Sequence, residues 1–331
     1  MTESLAGLSG RLASLGPRAN AWGMTSAGPP EPVLVVLQPA RGTLLVTGSE
    51  AKSWLNGLVT CDVLQVEPGR AAFGLALNKQ GKIQSEVEIV AGAEGLLVGV
   101  SPGAAERLVA ALDKFLVMED AELSDVSADY LWADFHGLGA AAQAEAAAKL
   151  CAGTASAIRY TSQAAATLVF ERDELLELER FVERTPALRR ATDADWEALR
   201  ISQTFGRYGV DFNEADNPHE AALDRRAVSW NKGCYLGQEV VCMQDMRGKL
   251  KRRLVALALA ESSEAPSVGS PVTAGDSAEA VGELTSVAHS PLTGKLLALA
   301  RVRSPYFDGK QPLGVAGRQA AFVAQGTPEM E

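Results

Sequence analysis

The chain has 331 residues, 47% of them hydrophobic and 22% charged, which excludes a disordered tail or a fibrous repeat and allows two or three domains, each with its own core. Lys and Arg number 31 against 41 Asp and Glu, so the net charge is −10 and an anionic partner has to be held by a local basic patch. Four scattered cysteines, Cys61, Cys151, Cys234 and Cys242, make neither a disulfide framework nor a zinc or redox pair, so no metal site is expected.

A reducing, cytoplasmic setting is expected, because Met1-Thr2-Glu3-Ser4 does not open a basic-then-apolar leader and no run approaches the roughly 20 apolar residues of a membrane span. The first thirty residues predict a short helix over Ser4 to Leu15 and a loop ending in Gly28-Pro29-Pro30. Strands are predicted at Val33 to Leu37 and Thr43 to Val46, then a helix opened by Gly48-Ser49 with Trp54, Leu55 and Leu58 on one face. Strands follow at Ala72 to Leu77, Ile83 to Val90 and Leu96 to Val100. A second helix is expected from Ser101-Pro102, with Ser101 as cap and Leu108, Ala111, Leu112 and Phe115 as its buried stripe.

A similar order recurs. Tyr130 to Phe135 reads as a strand, Ala140 to Leu150 as a helix, Ala157 to Tyr160 and Ala166 to Phe170 as strands, and Glu174 to Val182 as a helix. Thr192 and Asp195 form a capping box for a helix from Asp193 to about Thr204. Two βαββα-like units without βαβ alternation predict two α+β lobes and exclude a doubly wound nucleotide fold. After a polar linker at Asp245 to Arg253, short strands separated by Gly, Pro, Ser and Asp predict a small barrel or sandwich. The expected domains are 1–125 and 126–246 for the lobes and 247–331 for the barrel.

The most informative run is Asn231-Lys232-Gly233-Cys234-Tyr235-Leu236-Gly237-Gln238-Glu239. Its two glycines allow unusual backbone angles, and helix-compatible residues from Gln238 onward would point free N–H groups out of the turn. Lys232 and those N–H groups would favour a thiolate at Cys234. Residue physics leaves two readings open: a small buried apolar thiol, the commoner case, and a reactive cysteine. Residues 225 to 253 add eight cations against Glu239 and Asp245, a net +6, read either as a solvated linker or as a seat for carboxylates or phosphates. Dinucleotide, P-loop and serine-hydrolase motifs are missing, and His136, His219 and His289 lack metal-ligand spacing.

Lys232-Gly233-Cys234-Tyr235-Leu236-Gly237-Gln238-Glu239 resembles the Lys-Gly-Cys-Tyr-x-Gly-Gln-Glu signature of the YgfZ group of folate-binding proteins, relatives of the glycine-cleavage T-protein. Gly57 to Val63, Asn78-Lys79-Gln80-Gly81-Lys82, Pro218 to Leu223, Arg247-Gly248, Lys251 to Leu254 and Gly282 to Ser286 extend the resemblance over roughly Val33 to Val323. It implies an α+β fold: a three-lobed, T-protein-like ring of two ferredoxin-like-related lobes and a C-terminal β-barrel around a folate channel, with lobes that can be discontinuous in sequence. The implied ligand is tetrahydrofolate, and the implied role is support of iron–sulfur enzymes or assembly factors, including those that modify tRNA, with no direct nucleic-acid binding and no membrane partner.

Under this resemblance Cys234 and Lys232 are the candidate catalytic residues. Thr60, Asp62, Asn78, Arg200, Tyr235, Gln238, Glu239, Arg247 and Arg252 are the candidate folate-binding ones, with Arg247 and Arg252 toward the glutamate tail. T-protein-type aminomethyl transfer is the alternative, and the chain departs from it. Gly81-Lys82-Ile83-Gln84-Ser85-Glu86 stands where T-proteins resemble Gly-Gly-x-x-Asp-Asp, and Arg200-Ile201-Ser202-Gln203-Thr204 where they resemble Arg-Leu-Glu-Ala-Gly. Ser202 cannot supply the carboxylate that holds the pterin.

Overall fold

The structure, a computed structural model, describes residues 31–158, 164–260, 265–275, 277–290 and 294–323. The helix expected over Ser4 to Leu15, the loop ending in Gly28-Pro29-Pro30 and the Tyr160 end of one expected strand lie outside the described residues.

The first lobe is an antiparallel sheet of order β3-β4-β5-β2-β6, formed by β2 (Gly42–Thr47), β3 (Ala72–Leu77), β4 (Ile83–Ala91), β5 (Leu96–Val100) and β6 (Glu122–Asp125). Helices α1 (Ala51–Asn56) and α2 (Ala105–Leu112) cover one face, burying Trp54, Leu55, Leu108 and Leu112 against Leu44, Val46, Val87 and Ile89. The second lobe has the order β10-β1-β7-β9-β8, from β1 (Val33–Leu37), β7 (Tyr130–His136), β8 (Thr154–Ile158), β9 (Ala165–Glu171) and β10 (Leu188–Arg190), backed by α3 (Ala140–Leu150) and α4 (Leu175–Arg184). Helix α5 (Asp193–Ser202) opens on the expected capping box, with both reciprocal bonds made.

The C-terminal strands β11 (Arg252–Leu259), β12 (Pro271–Ala274), β13 (Ala280–His289), β14 (Leu296–Arg303), β15 (Leu313–Val315) and β16 (Arg318–Phe322) close a barrel in the order β11-β14-β13-β12-β15-β16. The expected α+β class with two lobes and a terminal barrel is what the chain adopts.

The expected first lobe of 1–125 needs one correction. Strand β1 pairs with β7 and β10, so it belongs to the second sheet, and the first lobe is spliced between β1 and β7. Ser101 is not a helix cap: its hydroxyl accepts from the Glu86 N–H at 3.1 Å, and α2 starts after a turn at 102–103. The expected linker is shorter than Asp245 to Arg253, because α6 (Gln238–Arg247) runs through its first three residues to a cap at Gly248 and β11 takes its last two. Strands β6 and β10 were not expected; both are short, mostly exposed edge strands, too brief for alternation to show.

Between α5 and α6 the chain has no regular element, yet it is well packed. Phe205, Phe212, Leu223 and Val228 share a core with Leu75, Leu77 and Ile83 of the first sheet and Ile158 and Ala165 of the second. Ile201 and Ala222 pack on Leu254, Ala256, Leu297 and Leu299 of the barrel. This segment therefore mortars all three parts together, and it carries the turn with Cys234.

Candidate functional site

The turn 232–239 is docked on the first lobe by three sets of contacts. Lys232 Nζ donates to the carbonyls of Asn56 (2.6 Å), Val59 (2.8 Å) and Cys61 (2.7 Å), and the Leu236 N–H bonds Gly57 O at 3.0 Å. A little earlier, Ser229 N–H bonds Thr60 O, and Thr60 Oγ1 donates to Ala227 O. Gly237, at φ +82°, lies so close to the hairpin at residues 78–82 that a Cβ there would fall 2.6 Å from Asn78 O. Three stretches far apart in sequence, 57–62, 78–82 and 232–239, thus form one surface. Gly233 is different: it has open space and no positive φ, so the motif's backbone demand falls on Gly237 alone.

Cys234 is exposed on this surface, unlike Cys61 and Cys151, which are buried. Burial pushes the Cys61 thiol up to about 12 and the Cys151 thiol up to about 11, so both are inert at neutral pH. Cys242 is half-buried on α6. The thiolate role expected of Lys232 is corrected by its geometry. All three ammonium hydrogens are spent on carbonyls, and burial holds its pKa below the ordinary lysine value. It acts as a clamp, with its ammonium 5.4 Å from the Tyr235 ring centroid.

The other expected residues divide between this surface and the frame behind it. Tyr235 is buried at 7% exposure, its hydroxyl without a hydrogen-bond partner, and desolvation raises its pKa. Gln238 Oε1 accepts from the Tyr235 N–H at 3.3 Å, and Glu239 is exposed in the first turn of α6. Asn78 Oδ1 accepts from the N–H groups of Gln80 and Lys82, shaping the hairpin, and Asp62 caps the short turn at Val63–Gln65. Thr60, fully buried, also accepts from the Leu75 N–H and so is a structural stitch rather than a ligand contact.

Arg200 is likewise corrected. At 1% exposure it pairs with Asp211 (2.8 Å) and Glu197 and donates to Ser286 Oγ (2.7 Å), joining α5 to the barrel. Arg252 is tied to Asp216 at 2.7 Å, which also holds Arg301. The basic stretch is therefore not one seat for an anion. Arg225 and Arg253 both meet Asp224, and burial lowers Arg226 to about 10. Arg247, Lys249 and Lys251 are exposed.

A second cluster was missed in the sequence. The inner faces of the two sheets meet through Val90, Leu97, Trp132 and Val169, and into this seam Arg41 brings a guanidinium that pairs with Glu88 and with Asp134 (3.4 Å). Gln38 and Thr167 also donate to Asp134, at 3.0 and 3.3 Å. Burial pushes the Glu88 carboxyl up to about 7 against the pull of Arg41, and it pushes the partly buried Glu86 carboxyl up to about 7 as well. His136, buried beside Asp134, is lowered to about 4 by desolvation. The signal was present in Tyr130 to His136, where Asp134 sits in a strand apolar on both faces.

Residues 38–171 match the GCVT N-terminal domain, and residues 252–328 match the glycine cleavage T-protein C-terminal barrel domain. Among curated relatives, the tRNA-modifying protein YgfZ of Vibrio vulnificus (strain CMCP6) is 26% identical over 250 residues, covering 73% of this chain and 76% of that protein. An aminomethyltransferase of Thermotoga maritima is 29% identical over 300 residues, covering 83% and 79%. An iron–sulfur cluster assembly factor IBA57 homolog of Mycosarcoma maydis is 26% identical over 235 residues, covering 66% and 55%. The glycine cleavage system aminomethyltransferase T of Bartonella henselae shares the fold, with a TM-score of 0.74 at 16% identity over 89% of this chain and 85% of that one.

Proposed function

Because the chain belongs to the YgfZ-type group of the glycine-cleavage T-protein family, we propose that it is a tetrahydrofolate-binding accessory protein supporting iron–sulfur cluster assembly or repair and iron–sulfur-dependent tRNA modification. The observation that carries this reading is the convergence of 57–62, 78–82 and 232–239 on one surface with Cys234 exposed on it. The residues fit a reduced folate in kind. Glu86 is a carboxyl balanced near neutrality for a pterin N–H edge, Tyr235 has a buried hydroxyl to satisfy, and exposed Arg247 is suited to glutamate carboxylates. Bound folate would supply a one-carbon carrier; the chain's own part is to hold it and to present the thiol.

The test is a tetrahydrofolate titration of the purified protein followed by thermal unfolding. Ligand at a hundredfold over Kd is expected to stabilise by about 2.7 kcal/mol; an unmoved transition at saturating folate contradicts the reading. Cys234→Ala is expected to leave stability within about 0.5 kcal/mol, since an exposed thiol packs against little. In a strain dependent on this protein it should lower tRNA methylthiolation, and undiminished modification removes the thiol from the mechanism.

Glu86 favours a second reading, one-carbon transfer of the T-protein type. A partly exposed carboxyl near neutrality can both take and return a proton at working pH. Methylene-tetrahydrofolate formed from an aminomethyl donor, and lost in Glu86→Gln, would establish that chemistry; folate binding without turnover leaves the accessory role standing.

A further inference from the structure

The seam between the two lobes carries chemistry of its own, independent of the folate reading. Glu88 comes from β4 of the first sheet and Asp134 from β7 of the second, and their exposures are 3% and 0%. Among the described residues, Arg41 is the one cation in ion-pair contact with either. Two fully ionised carboxylates against one guanidinium would leave a net negative charge in a nearly dry junction, where uncompensated charge is costly. Glu88 Oε1 makes no hydrogen bond, whereas Oε2 faces Arg41 and Asp134 accepts from Gln38, Thr167 and Arg41. The arrangement solvates one carboxylate well and the other by half.

We propose that Glu88, sharing Arg41 with Asp134, keeps its proton in the closed junction of the two lobes, making that junction a proton-operated latch that grips while the proton is present and loosens as it leaves. The raised Glu88 carboxyl, near 7 rather than its ordinary 4.5, agrees with this.

Among the described residues, further titratable groups come from two strands. The strand of Glu88 adds Glu86, which titrates in the same sense, and β7 adds His136, which titrates in the opposite one. Across the sheet Glu88 lies between Phe73 and Gly99, both uncharged, and β9 and β8 present the neutral Thr167 and Ser156. Because His136 opposes, the latch is read as a difference between wild type and a variant.

The sign follows from where the proton goes. Closed, Glu88 keeps it up to about pH 7; opened into water, Glu88 releases it near its ordinary 4.5. Opening therefore expels a proton, and its equilibrium constant rises with pH between those values, by up to about tenfold per unit.

Hydrogen exchange of the intact protein, corrected for intrinsic rates and read by mass spectrometry on peptides spanning β4 and β7 from pH 5 to 8, tests this. The ratio of opening constants, wild type over Glu88→Gln, should climb between pH 5 and 7 and flatten above. Asp134→Asn should abolish the climb too, because Arg41 then faces one carboxylate of the two instead of both and Glu88 ionises in the closed state. The infrared carboxylic acid band present in wild type at pH 6 should be reduced in both variants, a readout that a merely structural role would not move. A ratio independent of pH, or an acid band unchanged in Glu88→Gln, overturns the proposal. If Glu88→Gln does not fold, Asp134→Asn and its band decide alone.

Discussion

Asp211→Ala is expected to destabilise the protein by about 3–5 kcal/mol, the cost of removing one partner from a buried ion pair. Asp211 is fully buried: one oxygen accepts from Thr285 and Ser286 of β13, the other from the Arg207 N–H and from Arg200. Its loss leaves Arg200 at 1% exposure with Glu197 as its remaining acidic partner and takes an acceptor from the hydroxyls of Thr285 and Ser286. Asp211→Asn keeps the shape and part of the bonding, so it should cost less. Urea unfolding monitored by fluorescence measures both; an Ala variant within 1 kcal/mol of wild type would show that the barrel is joined to α5 by apolar packing alone.

Lys232→Met should produce the next largest effect, about 2–4 kcal/mol, together with loss of whatever function Cys234 serves. Hydrogen bonds to a charged group contribute roughly 1.5–3 kcal/mol each and are not additive, and here three carbonyls lose their donor at once. Lys232→Arg should rescue poorly, because a planar guanidinium does not fit a cup that converges on a compact ammonium. Stability and maleimide labelling of Cys234 should change together if the clamp sets the position of the turn. Labelling kinetics identical to wild type in a destabilised Lys232→Met would separate the two and refute that link.

The elements were legible because their cores are local. Trp54 and Leu55 of α1 and Leu58 just beyond it enter one core, and the alternation of Ser85, Val87 and Ile89 fixes one buried face of β4. The same alternation hid the seam. Glu88 points from the other face, and only the approach of a second sheet, which no local pattern announces, buries it. At the motif, the glycines and cysteine pointed to a special turn, but the use of Lys232 depends on carbonyls about 170 residues upstream in the chain. Arg200 failed for a similar reason: an arginine near a helix end looks available to a ligand until Asp211 and Ser286 arrive from elsewhere.

The splicing of the first lobe between β1 and β7 bears on how the chain is made. Strand β2 pairs with β6, Leu44 opposite Asp125, so the inserted lobe begins and ends at neighbouring points and can close on itself while still emerging from the ribosome. Strand β1 emerges earlier but has no partner until β7 is synthesised, several seconds later at about 5–20 residues per second. During that interval Val33 to Leu37 is an unpaired apolar ribbon tethered to a finished lobe, the segment on which a nascent-chain chaperone has most reason to act.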